Sequence, residues 1–298
     1  MKRYPVLTFF VLSYLISWTA VGILHLVAIQ AGLDDFGALM DMAESTFSLG
    51  DAGAGLLIPT WLVFLLSRIV DFGPSLAGLI TPFLIGEPGD ARKILRRLLD
   101  FRIGSAGYAW ALLLPLAIVT GAFLLHTTLG DSAVTGANWQ GLATIGQFVF
   151  WVFIMRTLLG GGLGEELGWR GFVLPRLATA QGAGRASLII GLVWTFWHLP
   201  AHLAGSDPPV NLVVQLLYTV PLSYVFTWLY YKFDEKLLPV VLLHGALNGY
   251  NAFFEHSLFP ALADEDGFVI FFILLTLVVG IAAAFSVRKI TVPAAEAA

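Results

Sequence analysis

Glu165 and Glu166 stand side by side in Gly164-Glu165-Glu166-Leu167-Gly168-Trp169-Arg170, inside a stretch that otherwise reads as membrane-spanning. One carboxylate in a bilayer is costly, and two with an arginine one turn later are rarely kept without a purpose. Two more apolar segments carry polar groups. His198 lies in Val193-Trp194-Thr195-Phe196-Trp197-His198-Leu199-Pro200, and His244 and Asn248 in Leu243-His244-Gly245-Ala246-Leu247-Asn248. An acid, two imidazoles and an amide on three hydrophobic helices look like a reaction site. A desolvated carboxylate is a better base, and an imidazole can position water or shuttle a proton. Amide and imidazole N–H donors fixed where water is sparse can stabilise an oxyanion.

Successive residues of a helix point about 100° apart, so Glu165 and Glu166 cannot face the same way. Glu166 and Arg170 are spaced i,i+4 in the favourable acid-first order. That spacing pairs Glu166 with Arg170 in support and frees Glu165 for a cavity. Gly160, Gly164 and Gly168 form a small-residue stripe that permits close approach by a neighbouring helix. Each feature also has a bland reading: a structural ion pair at a helix end, a hydrogen-bonded core histidine at His198, interhelical glue at His244 and Asn248. His202 is i,i+4 from His198, but Pro200 disturbs that geometry. His25, His126 and His256 have no polar constellation around them and read as bystanders. Arg68, Asp71 and Arg156 fall near mid-membrane, where Asp71 is expected to neutralise one or both arginines.

The elements that must hold these residues are transmembrane helices. The chain has 298 residues, 58% of them hydrophobic and 12% charged, with mean hydropathy +0.83. Soluble domains carry about 25% charged residues, so a polytopic all-α membrane protein is expected. No cysteine is present, which removes disulfides and thiolate metal sites. The basic residues have a membrane explanation, and nothing suggests nucleic-acid binding. A spanning helix needs about 20 apolar residues. Eight such segments can be drawn: Pro5–Gln30, Gly55–Leu84 (with Pro74 expected to kink it), Tyr108–Leu125, Leu142–Leu174, Ala186–His202, Leu212–Tyr231, Leu237–Phe254 and Gly267–Val287. The fourth is too long for a straight span and is expected to tilt or project.

With the N-terminus in the cytoplasm, every Lys and Arg of the connecting segments falls inside, Arg92, Lys93, Arg96, Arg97 and Arg102 among them. The outer loops hold only acids: Asp34, Asp35, Asp41, Glu44, Asp131, Asp207, Asp264, Glu265 and Asp266. This asymmetry places both termini in the cytoplasm. Residues 1–290 read as one transmembrane domain with its motif core at 142–254, and 291–298 as a disordered tail. The stretch at about 90–102 reads as an amphipathic helix on an anionic inner leaflet. At 1.5 Å per residue, Glu165, His198, His244 and Asn248 fall about 14, 18, 10 and 16 Å from the cytoplasmic helix ends. Similar depth points to one shared site in a polar cavity facing the cytosol.

Glu165-Glu166-x-x-x-Arg170, then Trp194-x-x-x-His198, then His244-x-x-x-Asn248 resemble the motifs of the CPBP intramembrane proteases. That family includes the Rce1-type CAAX prenyl endopeptidases and the bacterial Abi proteins. Trp169-Arg170-Gly171-Phe172, Trp197-His198-Leu199-Pro200 and Phe72-Gly73-Pro74-Ser75 are similar as well. Trp194 stands where the second motif usually has Phe, which keeps an aromatic wall. The resemblance implies an endopeptidase acting on a lipidated or membrane-embedded protein substrate. Glu165 and His198 would activate water, and His244 and Asn248 would bind the oxyanion. Two versions stay open. Glu165, His198 and His244 are an adequate Zn2+ set with one open position, while a metal-free glutamate mechanism uses all four residues equally well. A proton-coupled transporter and a non-catalytic immunity or assembly factor are the rival functions. The Ala- and Gly-rich composition suggests a prokaryotic plasma membrane.

Overall fold

The structure, a computed structural model, describes residues 2–33, 39, 58–130, 134, 136–203, 208–264 and 266–292. Those residues form helices and connections with no strand. The outer acids Asp34, Asp35, Asp41, Glu44, Asp131, Asp207 and Glu265, and the tail from 293, lie outside them.

The helices are α1 Pro5–Gln30, α2 Thr60–Ile85, α3 Pro88–Leu98 and α4 Gly104–Leu129, then α5 Leu142–Val149 and α6 Gly161–Glu166. They continue with α7 Leu174–Gln181, α8 Ala183–Trp197, α9 Leu199–Leu203, α10 Pro208–Lys232, α11 Leu238–Phe253 and α12 Asp266–Val287. Six stretches are long and apolar enough to cross a membrane: α1, α2, α4, the composite 142–181, α10 from Leu212, and α12. The chain is an integral membrane protein, and part of its leucines and valines face outward as lipid-facing side chains do, Leu7, Leu26, Leu113 and Val278 among them. The other two expected spans are shorter. α8 has 15 residues and α11 has 16, about 24 Å at most, against a hydrocarbon core of about 30 Å.

The fourth expected span is interrupted where a tilted rod was expected. It runs as α5, a π-helical segment Phe150–Leu158, a break at Gly160, α6, a second π-helical segment Leu167–Val173, and α7. Gly160 is extended, at φ −124° and ψ −155°. Three consecutive glycines, Gly160 to Gly162, lower the cost of leaving the helix. π-helical turns inside helices cluster at functional sites, and these two flank Glu165 and Glu166.

α2 is the scaffold behind that segment. Pro74 lies inside it, lacks an N–H, and so frees the carbonyl of Val70 four residues back. Ser17 of α1 donates its hydroxyl to that carbonyl at 2.8 Å, and no backbone group in lipid can go unsatisfied cheaply. Ser75 reaches the other way and donates to the Leu163 carbonyl of α6 at 2.7 Å. The Gly164 and Gly168 positions of the stripe lie directly on α2. A methyl at Gly164 would meet the Asp71 carbonyl oxygen at 2.7 Å, and one at Gly168 would overlap the Pro74 carbonyl. Gly160 does not share this packing, since a methyl there would meet its own preceding turn at Met155 and Arg156.

Helix α3 lies where the amphipathic helix is expected. Ala91 and Ile94 are buried, Arg92, Lys93 and Arg96 are exposed, and Leu95 and Leu99 face outward. It is fastened to its neighbours. Arg176 of α7 pairs with Glu87 at 3.1 Å and with Asp90. Arg97 pairs with Glu235 and donates to the Tyr230 hydroxyl at 2.8 Å.

Candidate active site

Four ionisable side chains meet where α6 and its π-helical continuation pack on α11. Glu165 is 4% exposed, His244 3%, and Glu166 and Arg170 0%. Charges this deeply buried must be paired or hydrogen-bonded, and these are. Arg170 donates from Nη1 to Glu166 at 3.1 Å, the expected pairing. The guanidinium also lies over the Phe226 ring at 4.6 Å and the Trp194 ring at 5.3 Å, a cation–π setting that offsets part of its desolvation.

Glu166 has a second partner that sequence spacing does not reveal: His244 Nδ1 lies 2.7 Å from its Oε1. A carboxylate held by Arg170 is an acceptor, so Nδ1 carries the hydrogen of that bond, and the partner fixes the tautomer. The opposite nitrogen, Nε2, stands 3.7 Å from Glu165 Oε1. That is beyond direct hydrogen-bond range and close enough for both atoms to address one small reactant. His244 therefore sits between the two glutamates, oriented by one and facing the other.

Glu165 is itself held on its far side. Its Oε2 accepts from Trp194 Nε1–H at 2.5 Å and from Trp169 Nε1–H at 3.2 Å. Two indole donors fix the carboxylate rotamer and leave Oε1 toward His244. Both tryptophans are missing from the expected site. The Glu165–Trp169 contact was legible as an i,i+4 pair; Trp194, read as an aromatic wall, supplies a donor from another helix. Gly161 completes the enclosure, because a methyl there would lie 2.6 Å from His244 Nε2 and 2.7 Å from Glu165 Oε1. The pair occupies the space that any side chain at 161 would need.

His198 joins through Trp194. It is the residue at which α8 ends, and α9 starts beyond it with Pro200 in its first turn, where a missing N–H costs nothing. His198 Nδ1 is 2.8 Å from the Trp194 carbonyl, which can only accept. A neutral His198 thus presents its lone pair at Nε2. Its ring is 5.9 Å from that of Trp194, whose N–H holds Glu165. Asp71 pairs with Arg68 at 3.2 Å, as expected. Arg156 lies over the Trp151 ring at 5.5 Å.

Asn248, one turn beyond His244 on α11, lines a cavity of about 350 Å³ together with Arg156, Gln215, Tyr218, Asn251 and Glu255. His256, read as a bystander, is at its rim and stacks on Trp151 at 5.1 Å. This cavity is formed where the N-terminal parts of α10 and α12 meet the C-terminal part of α11. The side chain of His202 falls outside the described residues.

The Zn2+ set Glu165, His198 and His244 does not assemble as a ligand cluster. Among the described residues no group of three or more His, Cys, Asp or Glu side chains is arranged to hold a metal ion. His244 has both nitrogens directed at carboxylates, and one Glu165 oxygen is occupied by two indoles. His244 Nδ1 and Glu165 Oε2 are thus committed to protein partners.

Residues 145–250 match the family described as Type II CAAX prenyl endopeptidase Rce1-like. The motif region is therefore similar to that family. All three motifs, from Glu165 to Asn248, fall within the matched stretch. A relative named CAAX prenyl protease 2, from Methanococcus maripaludis, is 24% identical over 190 residues, covering 58% of this chain and 69% of the relative.

Proposed function

We propose that this Rce1-like chain is an intramembrane endopeptidase that hydrolyses a peptide bond of a membrane-associated protein substrate, lipidated or membrane-embedded. The observation that carries this reading is the facing pair Glu165 Oε1 and His244 Nε2, 3.7 Å apart, each fixed from behind by its own partners. In the proposed reaction, Glu165 takes a proton from water as the water oxygen attacks the scissile carbonyl carbon. His198 helps to position that water through Nε2. The carbonyl oxygen becomes an oxyanion, which Asn248 meets with its amide N–H; His244, with Nδ1–H committed to Glu166, can donate from Nε2 only as the imidazolium. Collapse of the tetrahedral intermediate breaks the C–N bond, and the leaving amine takes the proton from Glu165. Glu166 and Arg170 position His244.

The same reading has eight helices crossing the membrane, α8 and α11 included, as one domain with both termini in the cytoplasm of a prokaryotic plasma membrane. Charge asymmetry supports it.

Cleavage of candidate membrane peptides by the purified protein is the test. Glu165→Ala and His198→Ala are expected to lower the rate by about 10²-fold or more, the usual scale for a positioned acid–base group. Full activity in both variants would defeat the assignment. Substrate-driven proton flux with no cleavage would favour the transporter instead.

A further inference from the structure

The break at Gly160 leaves one carbonyl in a difficult place. Leu159 closes the Phe150–Leu158 segment by donating its N–H to the Ile154 carbonyl at 2.9 Å, and Gly164 N–H bonds the Gly160 carbonyl at 2.8 Å to begin α6. The Leu159 carbonyl falls between the two ladders, and no backbone N–H of the described residues donates to it. Within a hydrocarbon layer such an acceptor must find its partner in the protein.

Arg68 of α2 is that partner. Its Nη1–H donates to the Leu159 carbonyl at 3.0 Å. The rest of the guanidinium is held by its own helix. Nε and Nη2 each lie 3.2 Å from Ser67 Oγ, Asp71 pairs with Nη1 at 3.2 Å, and the Phe64 ring lies 5.0 Å away. The side chain is therefore fixed before it reaches across, and the residue is buried. A cation suits the C-terminal end of a helical segment, where carbonyls concentrate negative charge.

Helix α2 holds the break at a second point. Arg68, Asp71 and Ser75 stand at i, i+3 and i+7, on one face of the helix. Ser75 donates to the Leu163 carbonyl at 2.7 Å, and the Asp71 carbonyl abuts Gly164. The two held carbonyls, Leu159 and Leu163, bracket Gly160 to Gly162. Gly161, inside that bracket, lies so close to His244 Nε2 and Glu165 Oε1 that a methyl there would come within 2.6 and 2.7 Å of them. A displacement of the bracket thus enters the reacting gap directly. A serine hydroxyl can rotate to follow such a displacement, whereas a planar guanidinium held on three sides cannot.

We propose that Arg68 is a positioning residue for the Glu165–His244 pair: its hold on the Leu159 carbonyl sets the turn that presents Glu165 to His244. This rests on the endopeptidase reading for what the pair does, and the hold itself is measurable without it. An arginine kept only as the ion-pair partner of Asp71 could be removed together with that acid at little cost. The test is Arg68→Met combined with Asp71→Asn, which removes the donor and leaves no unpaired charge, beside Arg68→Lys, which keeps a donor and the charge. Hydrogen–deuterium exchange in detergent reads the break, and cleavage of candidate membrane peptides reads the pair. In the double variant, amides of the peptide covering 160–166 are expected to exchange at least about tenfold faster, with α1 and α12 unchanged. Its kcat is expected to fall about 100-fold, the scale of misplaced catalytic groups, with KM within about twofold of the parent. Arg68→Lys is expected to recover most of both losses. Should the double variant not fold, Arg68→Gln with Asp71→Asn replaces it, since that amide is too short to reach Leu159. Parent-like exchange at 160–166 in the donor-less variant overturns the proposal. So does parent-like kcat, or an Arg68→Lys variant as impaired as the double one. If the parent itself cleaves nothing, the endopeptidase reading is what fails, and exchange alone decides whether Arg68 sets the turn.

Discussion

Glu165 and His244 are each held from behind by side chains that do not face the gap between them. The Glu165 charge is placed by Trp194 and Trp169, and its partner His244 is placed by Glu166. Two outcomes separate these roles. Gly161→Ala puts a methyl into the 2.6 to 2.7 Å gaps occupied by His244 Nε2 and Glu165 Oε1. Cleavage is expected to fall about 100-fold, on the scale of misplaced catalytic groups, while the unfolding midpoint in detergent stays close to that of the parent. Trp194→Phe removes one N–H donor from Glu165 and keeps the aromatic wall and the second indole. A hydrogen bond to a charged group contributes about 1.5–3 kcal/mol, and Trp169 retains part of that hold, so kcat/KM is expected to fall by about tenfold and the oxyanion side to be unaffected. A loss as large as that of Glu165→Ala would mean that Trp194 touches the reaction itself.

Among the elements, the broken fourth span is decisive, and small residues decide where it sits. Gly164 and Gly168 bring it onto α2 near Asp71 and Pro74, and Gly245 and Gly249 bring α11 onto the Phe150–Leu158 segment at Thr157 and Val152. The second pair is also a Gly-x-x-x-Gly spacing. A methyl at Gly245 would lie 2.5 Å from the Thr157 Cα, and backbone cannot move aside as a side chain can. Gly245→Ala is therefore expected to destabilise the protein by about 1–3 kcal/mol, the range for overpacking. Gly22→Ala in α1, where nothing lies within 4 Å, is expected to be neutral or slightly stabilising. Thermal unfolding in detergent compares the two; equal midpoints would remove the packing argument.

For the whole molecule, the two ends of the helix bundle are built differently. The end that carries α3 is fastened by ion pairs; the other carries the cavity that Asn248 lines. Arg176 is the residue that ties α3 to α7, through Glu87 and Asp90. Partly exposed pairs of this kind contribute about 1 kcal/mol. Arg176→Ala is thus expected to make trypsin cut at Arg92 and Lys93 about fivefold faster in inverted vesicles, with the tryptic pattern elsewhere unchanged. No change in that rate would mean that Arg97, with the apolar packing of Ala91 and Ile94, holds α3 without Arg176.

Composition and charge order were enough to fix an all-helical membrane protein and the helices that carry Glu165, His198, His244 and Asn248, because hydropathy and i,i+4 spacing act within one segment. The Glu166–Arg170 pair was legible for the same reason. What the chain could not announce are contacts between segments far apart in sequence. Glu166 with His244 is separated by 78 residues and Trp194 with Glu165 by 29. The break at Gly160 was hidden by hydropathy, which reads apolar length and is blind to backbone dihedrals. That Asn248 lines a cavity with residues of α10 and α12 was hidden as well, because depth counted along single helices says nothing of where neighbouring helices part. Local periodicity wrote the parts, and interhelical packing decided which of them face each other.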